Sequence, residues 1–300
     1  MRIATIMLTL MLAPAVPVLA AVEDAPAPPR SAAREGATES LAVDGAEIAF
    51  RVYGEDRASA LVFVHGWSCD SRYWHAQVDA FTATHLVVTV DLAGHGVSSS
   101  GERTEWSMAS FGADVAAVVE ALALERVVLV GHSMGGPIVL EAARRLGPRV
   151  VGVVGVDTWR DAAVRRTAEQ SEAMVEPFRK DFAGQTAAFV DRNFFVESSE
   201  PRLRRWIVED MAEAPPDVAV PSLLGLLQFD HAAALTDLKV PIVAINASTV
   251  PTDAAALAAL YAGLRVLEID EAGHFPMMER PAQFNSLLSR VLEDWTAPAL

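Results

Sequence analysis

The clearest chemical signal in this sequence is Gly131-His132-Ser133-Met134-Gly135, followed by Gly136. The G-x-S-x-G pattern follows the continuous apolar run Val127 to Val130 and opens a helical stretch. A serine on so sharp a strand-to-helix turn needs small neighbours, so that the backbone can bend and the hydroxyl can project. The helix beyond it aims backbone N–H groups at developing negative charge. Ser133 is therefore the candidate nucleophile, and a hydroxyl nucleophile needs a base. His274, in Gly273-His274-Phe275 just past the run Val266 to Ile269, is the only one of seven histidines that follows both Asp157 and Asp253. That gives the chain order serine, acid, histidine. The acid need only reach the imidazole N–H, to fix its tautomer and stabilise its cation.

Several elements must carry these groups. Ser40 to Gly54 places an Asp-Gly turn between two alternating segments, which predicts a β-hairpin. Continuous apolar runs follow at Leu61 to His65, Leu86 to Val90, Val127 to Val130, Val150 to Val156, Ile242 to Ile245 and Val266 to Ile269. Helical stretches stand between and after them, at Phe111 to Leu124, Gly135 to Leu146 and Pro281 to Trp295. Strands buried on both faces belong to parallel sheets covered by helices, so the pattern predicts an α/β fold with a mostly parallel sheet. The rhythm stops between Trp159 and Leu235. That stretch is helical in composition, interrupted by Pro177, Pro201, Pro215-Pro216 and Pro221, and reads as a helical insertion at 159–235. The sheet domain is then 38–158 together with 236–300.

Composition narrows the function classes. A formal net charge of −15 repels phosphate backbones, so no nucleic-acid partner is expected. Arg2, the apolar run Ile3 to Leu12, and Val18-Leu19-Ala20 read as an export signal over 1–20, cleaved after Ala20, so no stable membrane insertion is expected after cleavage. Residues 21–37, rich in Ala and Pro, read as a flexible linker. Cys69 is the single cysteine and reads as a small semi-buried hydrophobe, with no intramolecular disulfide available. No histidine pair shows zinc spacing and no G-x-G-x-x-G fingerprint appears, so neither a metal nor a cofactor is expected.

Four motifs in one order, His65-Gly66-Trp67, Asp91 to Gly96 (DLAGHG), Gly131 to Gly136 and Gly273-His274-Phe275, resemble the α/β-hydrolase superfamily over roughly residues 40–295. The resemblance implies a serine hydrolase that cleaves an ester-like bond of a small, apolar molecule through an acyl-enzyme. It implies an oxyanion hole from the backbone N–H groups of Trp67 and Met134. It makes the insertion a cap in which Phe194, Phe195 and Trp206, among other aromatic residues and methionines, are candidates to line the substrate pocket. Asp91 to Ser98 reads as a loop held by its own hydrogen bonds. A serine at the elbow disfavours dehalogenase and epoxide-hydrolase chemistry; a carbon–carbon bond hydrolase stays as an alternative. So does a receptor-like binding protein on the same fold.

The sequence departs from the family pattern at the acid. The family commonly carries it after the strand that is here Ile242 to Ile245, but the position near Val250 has no carboxylate and Asp253 comes about three residues late. Asp157, at the end of Val150 to Val156, resembles the arrangement in other members. Asp157 is the preferred acid and Asp253 the alternative; Asp253 reads equally as the N-cap of a helix over Ala254 to Ala262.

Overall fold

A computed structural model describes residues 36–55, 59–160 and 162–296. The expected leader (1–20) and most of the linker (21–37) lie outside the described residues. The centre of the molecule is an eight-stranded sheet of order β1-β2-β4-β3-β5-β6-β7-β8. The strands are β1 (Thr38–Val43), β2 (Ala46–Tyr53), β3 (Ala60–Val64), β4 (Leu86–Val90), β5 (Val127–His132), β6 (Val150–Val156), β7 (Ile242–Ala247) and β8 (Arg265–Ile269).

The expected hairpin is β1–β2, turned by Asp44 and Gly45, both at positive φ (44° and 76°), as a tight two-residue turn requires. β2 pairs antiparallel with β4, and the remaining pairs are parallel. Every residue of β3, β4, β5 and β7 is buried, which is why those strands read as unbroken apolar runs rather than alternating ones.

The helices between the strands are α1 (His75–Phe81), α2 (Met108–Ala121) and α3 (Gly135–Leu146). Those after the insertion are α9 (Ala254–Leu260), α10 (Pro276–Glu279) and α11 (Pro281–Thr296). α2 and α3 pack on each other, and α3 lies on β3, β5 and β6; α1 and α11 pack together, with α11 on β7 and β8. α1 and the 3₁₀ turn Ser71–Trp74 before it have no counterpart in the sequence reading. Helix α2 starts at Met108, three residues earlier than expected, because the Ser107 hydroxyl accepts from the Ser110 N–H and caps it.

Between β6 and β7 lie five helices: α4 (Ala168–Lys180), α5 (Phe182–Asn193), α6 (Pro201–Ala212), α7 (Pro216–Gln228) and α8 (His231–Thr236). The prolines do not all interrupt them. Pro201 and Pro216 open helices, where a missing N–H has no cost, whereas Pro177 and Pro221 lie inside α4 and α7. Among the described residues no helix is long and apolar enough to cross a membrane.

Candidate active site

The parallel strands deliver their carboxyl ends to one edge of the sheet, where ligands of open α/β folds bind. β5 ends at His132, and Ser133 follows with φ of 51°. Left-handed backbone at a residue with a side chain costs on the order of 1 kcal/mol and persists only where its surroundings enforce it. Here they do: the Ser133 N–H donates to the Val156 carbonyl at 2.9 Å, and the Ser133 carbonyl accepts the Gly136 N–H and the Thr158 hydroxyl, each at 2.9 Å. A Cβ on Gly131 would lie 2.2 Å from the Gly135 carbonyl oxygen, and one on Gly135 would lie 2.5 Å from that of Val64. The small residues of the motif are thus needed for backbone to pass backbone.

Asp157 follows β6, the neighbouring strand, also at positive φ (47°). Its Oδ2 accepts from His274 Nδ1 at 2.6 Å. Its Oδ1 accepts the Ala247 N–H at 2.8 Å and a guanidinium N–H of Arg160. Burial pushes this carboxyl up, but the His274 hydrogen bond and charge, Arg160 and the Ala247 N–H outweigh it and hold it below the usual carboxylate range. A proton fixed on Nδ1 leaves Nε2 as the acceptor nitrogen of the imidazole. Asp253 is elsewhere engaged: its Oδ1 accepts the Ala256 N–H at 2.9 Å and caps α9.

The end of β7, where the family pattern would lead to a carboxylate, supports the Asp157 turn instead. Asn246 is fully buried; its Oδ1 accepts the Thr158 N–H at 3.2 Å and its Nδ2 donates to the Thr158 carbonyl at 3.1 Å.

Ser133 and His274, both partly exposed, line one cavity with Trp67, Cys69, His132, Phe194, Met211 and Phe275. Trp67 follows β3, and its indole N–H donates to the Ala219 carbonyl of α7 at 2.7 Å. Met134 is buried at the start of α3, with helical φ of −57°. Of the three expected pocket aromatics, Phe194 is in the lining, its ring centroid 4.1 Å from that of His274. Phe195 packs on Phe275 behind it, and Trp206 packs on Tyr73 with the Arg72 guanidinium over its ring, so these two serve packing.

Four contributors went unrecognised in the sequence. Cys69 does pack as a buried hydrophobe, but at the cavity wall; burial first, then Asp210, pushes its thiol well up, so it stays protonated. His132 donates from Nε2 to the His274 carbonyl at 2.8 Å, and burial, with His274 close by, drives its pKa down to about 3, so its ring is neutral. Arg160, three residues past Asp157, carried a readable signal as a nearby cation. Phe275 carried one as the neighbour of His274.

Residues 61–287 match the alpha/beta hydrolase family, and the chain belongs to that family. A pimeloyl-[acyl-carrier protein] methyl ester esterase from Aeromonas hydrophila is 26% identical, over 76% of this chain and 93% of that one. A 3-oxoadipate enol-lactonase from Acinetobacter baylyi is 24% identical, over 82% and 92%. Among solved structures, a thermophilic esterase from Thermogutta terrifontis superposes with a TM-score of 0.75 at 25% identity, covering 86% of this chain and 98% of that one. Family and relatives together support an enzyme of the hydrolase class.

Proposed function

We propose that this enzyme hydrolyses esters of small, apolar acids through an acyl-enzyme. The observation that carries the reading is the 2.6 Å bond from His274 Nδ1 to a buried Asp157, with His274 and Ser133 lining one cavity. In this reading His274 Nε2 takes the Ser133 proton as Oγ attacks the ester carbonyl. The N–H groups of Trp67 and Met134 stabilise the oxyanion. His274 then gives its proton to the departing alkoxide, leaving an acyl-serine. Water, deprotonated by the same imidazole, attacks that acyl group, and the collapse returns the acid and the free serine. Asp157, held ionised, orients the imidazole and stabilises its cation.

The cavity supports the substrate class. Trp67, Met211, Phe194 and Phe275 give it apolar walls.

Hydrolysis of p-nitrophenyl acetate, butyrate and octanoate by the full chain and by Ser133→Ala tests the reading. Turnover that drops at least about 10⁴-fold in Ser133→Ala is expected. An active parent matched by Ser133→Ala removes Ser133 as nucleophile. One round of acylation without turnover would favour the receptor-like alternative.

We also propose export, on the pattern of residues 1–20. Protein recovered outside the cytoplasm of an exporting host should begin at Ala21; an intact Met1 on protein retained inside rejects this.

A further inference from the structure

Glu279, at the end of α10, is 9% exposed and does not line the cavity that holds Ser133. Its Oε1 accepts the backbone N–H groups of Gly273 at 3.0 Å and Phe275 at 3.2 Å, the residues on either side of His274. Its Oε2 accepts the Ser199 hydroxyl at 2.5 Å. Ser199 lies in the segment 194–200 between α5 and α6, and its oxygen in turn accepts the Val196 N–H at 3.0 Å. The same segment supplies the Phe194 carbonyl, which accepts the His274 N–H at 2.7 Å.

Three consecutive N–H groups, 273 to 275, are therefore held by one buried carboxylate and one carbonyl of the insertion. Gly273 is the residue that permits this: a Cβ there would lie 2.2 Å from the Phe194 carbonyl oxygen and 2.9 Å from Glu279 Oε1. A buried carboxyl group left without partners is strongly disfavoured, so Glu279 favours the arrangement that brings all three donors to it. Two of those donors belong to the histidine loop and the third to the insertion.

We infer that Glu279 is a positioning residue for His274, and that it makes the placement of the imidazole conditional on docking of the segment 194–200. Glu279 acts through backbone and touches no reacting atom. The inference rests on the reading of His274 as the base. Its physical content is that a base displaced by about 1 Å loses on the order of 10²-fold in rate while the binding walls remain.

The test uses the full chain, with Glu279→Ala, Glu279→Gln and Ser199→Ala beside Ser133→Ala. It measures kcat and KM for p-nitrophenyl acetate separately, together with the strongly deshielded Nδ1 proton of His274 in the proton NMR spectrum. An active parent and a silent Ser133→Ala establish the underlying reading first; the Glu279 variants then bear on the inference alone. Glu279→Ala should lower kcat about 100-fold with KM within about threefold, and should shift or broaden the Nδ1 proton. Glu279→Gln should recover to within about tenfold of the parent, because its amide oxygen accepts the two N–H groups and its NH₂ can donate to Ser199 Oγ. Ser199→Ala should lower kcat about fivefold at constant KM, because only the link to the insertion is cut.

A Glu279→Ala protein with parental kcat and an unshifted Nδ1 proton overturns the inference. So does a loss of kcat that only mirrors a loss of folded protein. If Glu279→Ala does not fold, Ser199→Ala decides, and an unchanged kcat there overturns it.

Discussion

Ser133 and His274 face one cavity, yet different parts of the molecule hold them. The serine elbow is built by the sheet: strands β3, β5 and β6 and the start of α3 fix it through backbone hydrogen bonds and close backbone approaches. The histidine loop lies five residues past β8 and is held by side chains and by the insertion, through Asp157, His132, Glu279 and the Phe194 carbonyl. At the elbow the left-handed backbone of Ser133 is held by the rigid scaffold. The proposed base depends instead on a carboxylate network and on a neighbouring helical layer. Damage to the elbow should therefore cost stability, and damage around the histidine should cost rate with the fold intact.

The largest effect expected on the histidine side is Asp157→Asn. The amide cannot hold the Nδ1 proton as the carboxylate does, so kcat should fall about 10³–10⁴-fold, beyond any loss of folded protein from the unpaired Arg160. Asp253→Asn is its control: the α9 cap survives in kind and the rate should stay within about twofold. A reversal of these two results would move the acid to Asp253.

On the elbow side, Gly135→Ala sets a methyl against the Val64 carbonyl, which belongs to the central sheet and cannot yield easily. A loss of about 3 kcal/mol in urea unfolding is expected. A stable Gly135→Ala protein that is merely slow would break the contrast between the two regions.

A further effect is graded with pH and arises from buried histidines. His132 and His95 both have pKa values driven down to about 3, by burial first and then by a neighbouring histidine, against an ordinary value of 6.5. Below pH 6.5 the unfolded chain binds protons at these positions and the folded chain does not, so stability rises with pH across this window and falls on acidification. At pH 5 each should cost about 2 kcal/mol relative to pH 7. The depressed Asp157 carboxyl acts lower: its contribution is present above 3.8 and is lost as pH falls through its folded value. Urea titrations at pH 7, 6 and 5 measure the first window, and a flat profile across it would mean that these rings are solvated.

The parallel strands, the hairpin and the elbow were legible because each is local: apolar runs, an Asp-Gly turn and G-x-S-x-G carry their own geometry. Helix α1 was not, since its seven residues follow a 3₁₀ turn capped by Asp70 and show no long amphipathic period. The internal prolines of α4 and α7 were misread as breaks because a helix with tertiary partners can absorb a lost hydrogen bond that an isolated one cannot.

The sequence by itself determined the residue types: a serine between glycines after a buried strand, a histidine late in the chain, and two aspartates able to serve it. Tertiary structure set the two aspartates apart: Asp157, at the end of β6, lies against His274, while Asp253 is turned into a local cap. It also decided what holds the imidazole. Glu279 lies five residues from His274, a spacing with no pattern of its own, and its donors at Gly273, Phe275 and Ser199 converge only because the segment 194–200 folds back onto the loop after β8. Contacts across so large a sequence separation leave no periodicity to read, since they depend on how layers pack rather than on how neighbouring residues repeat.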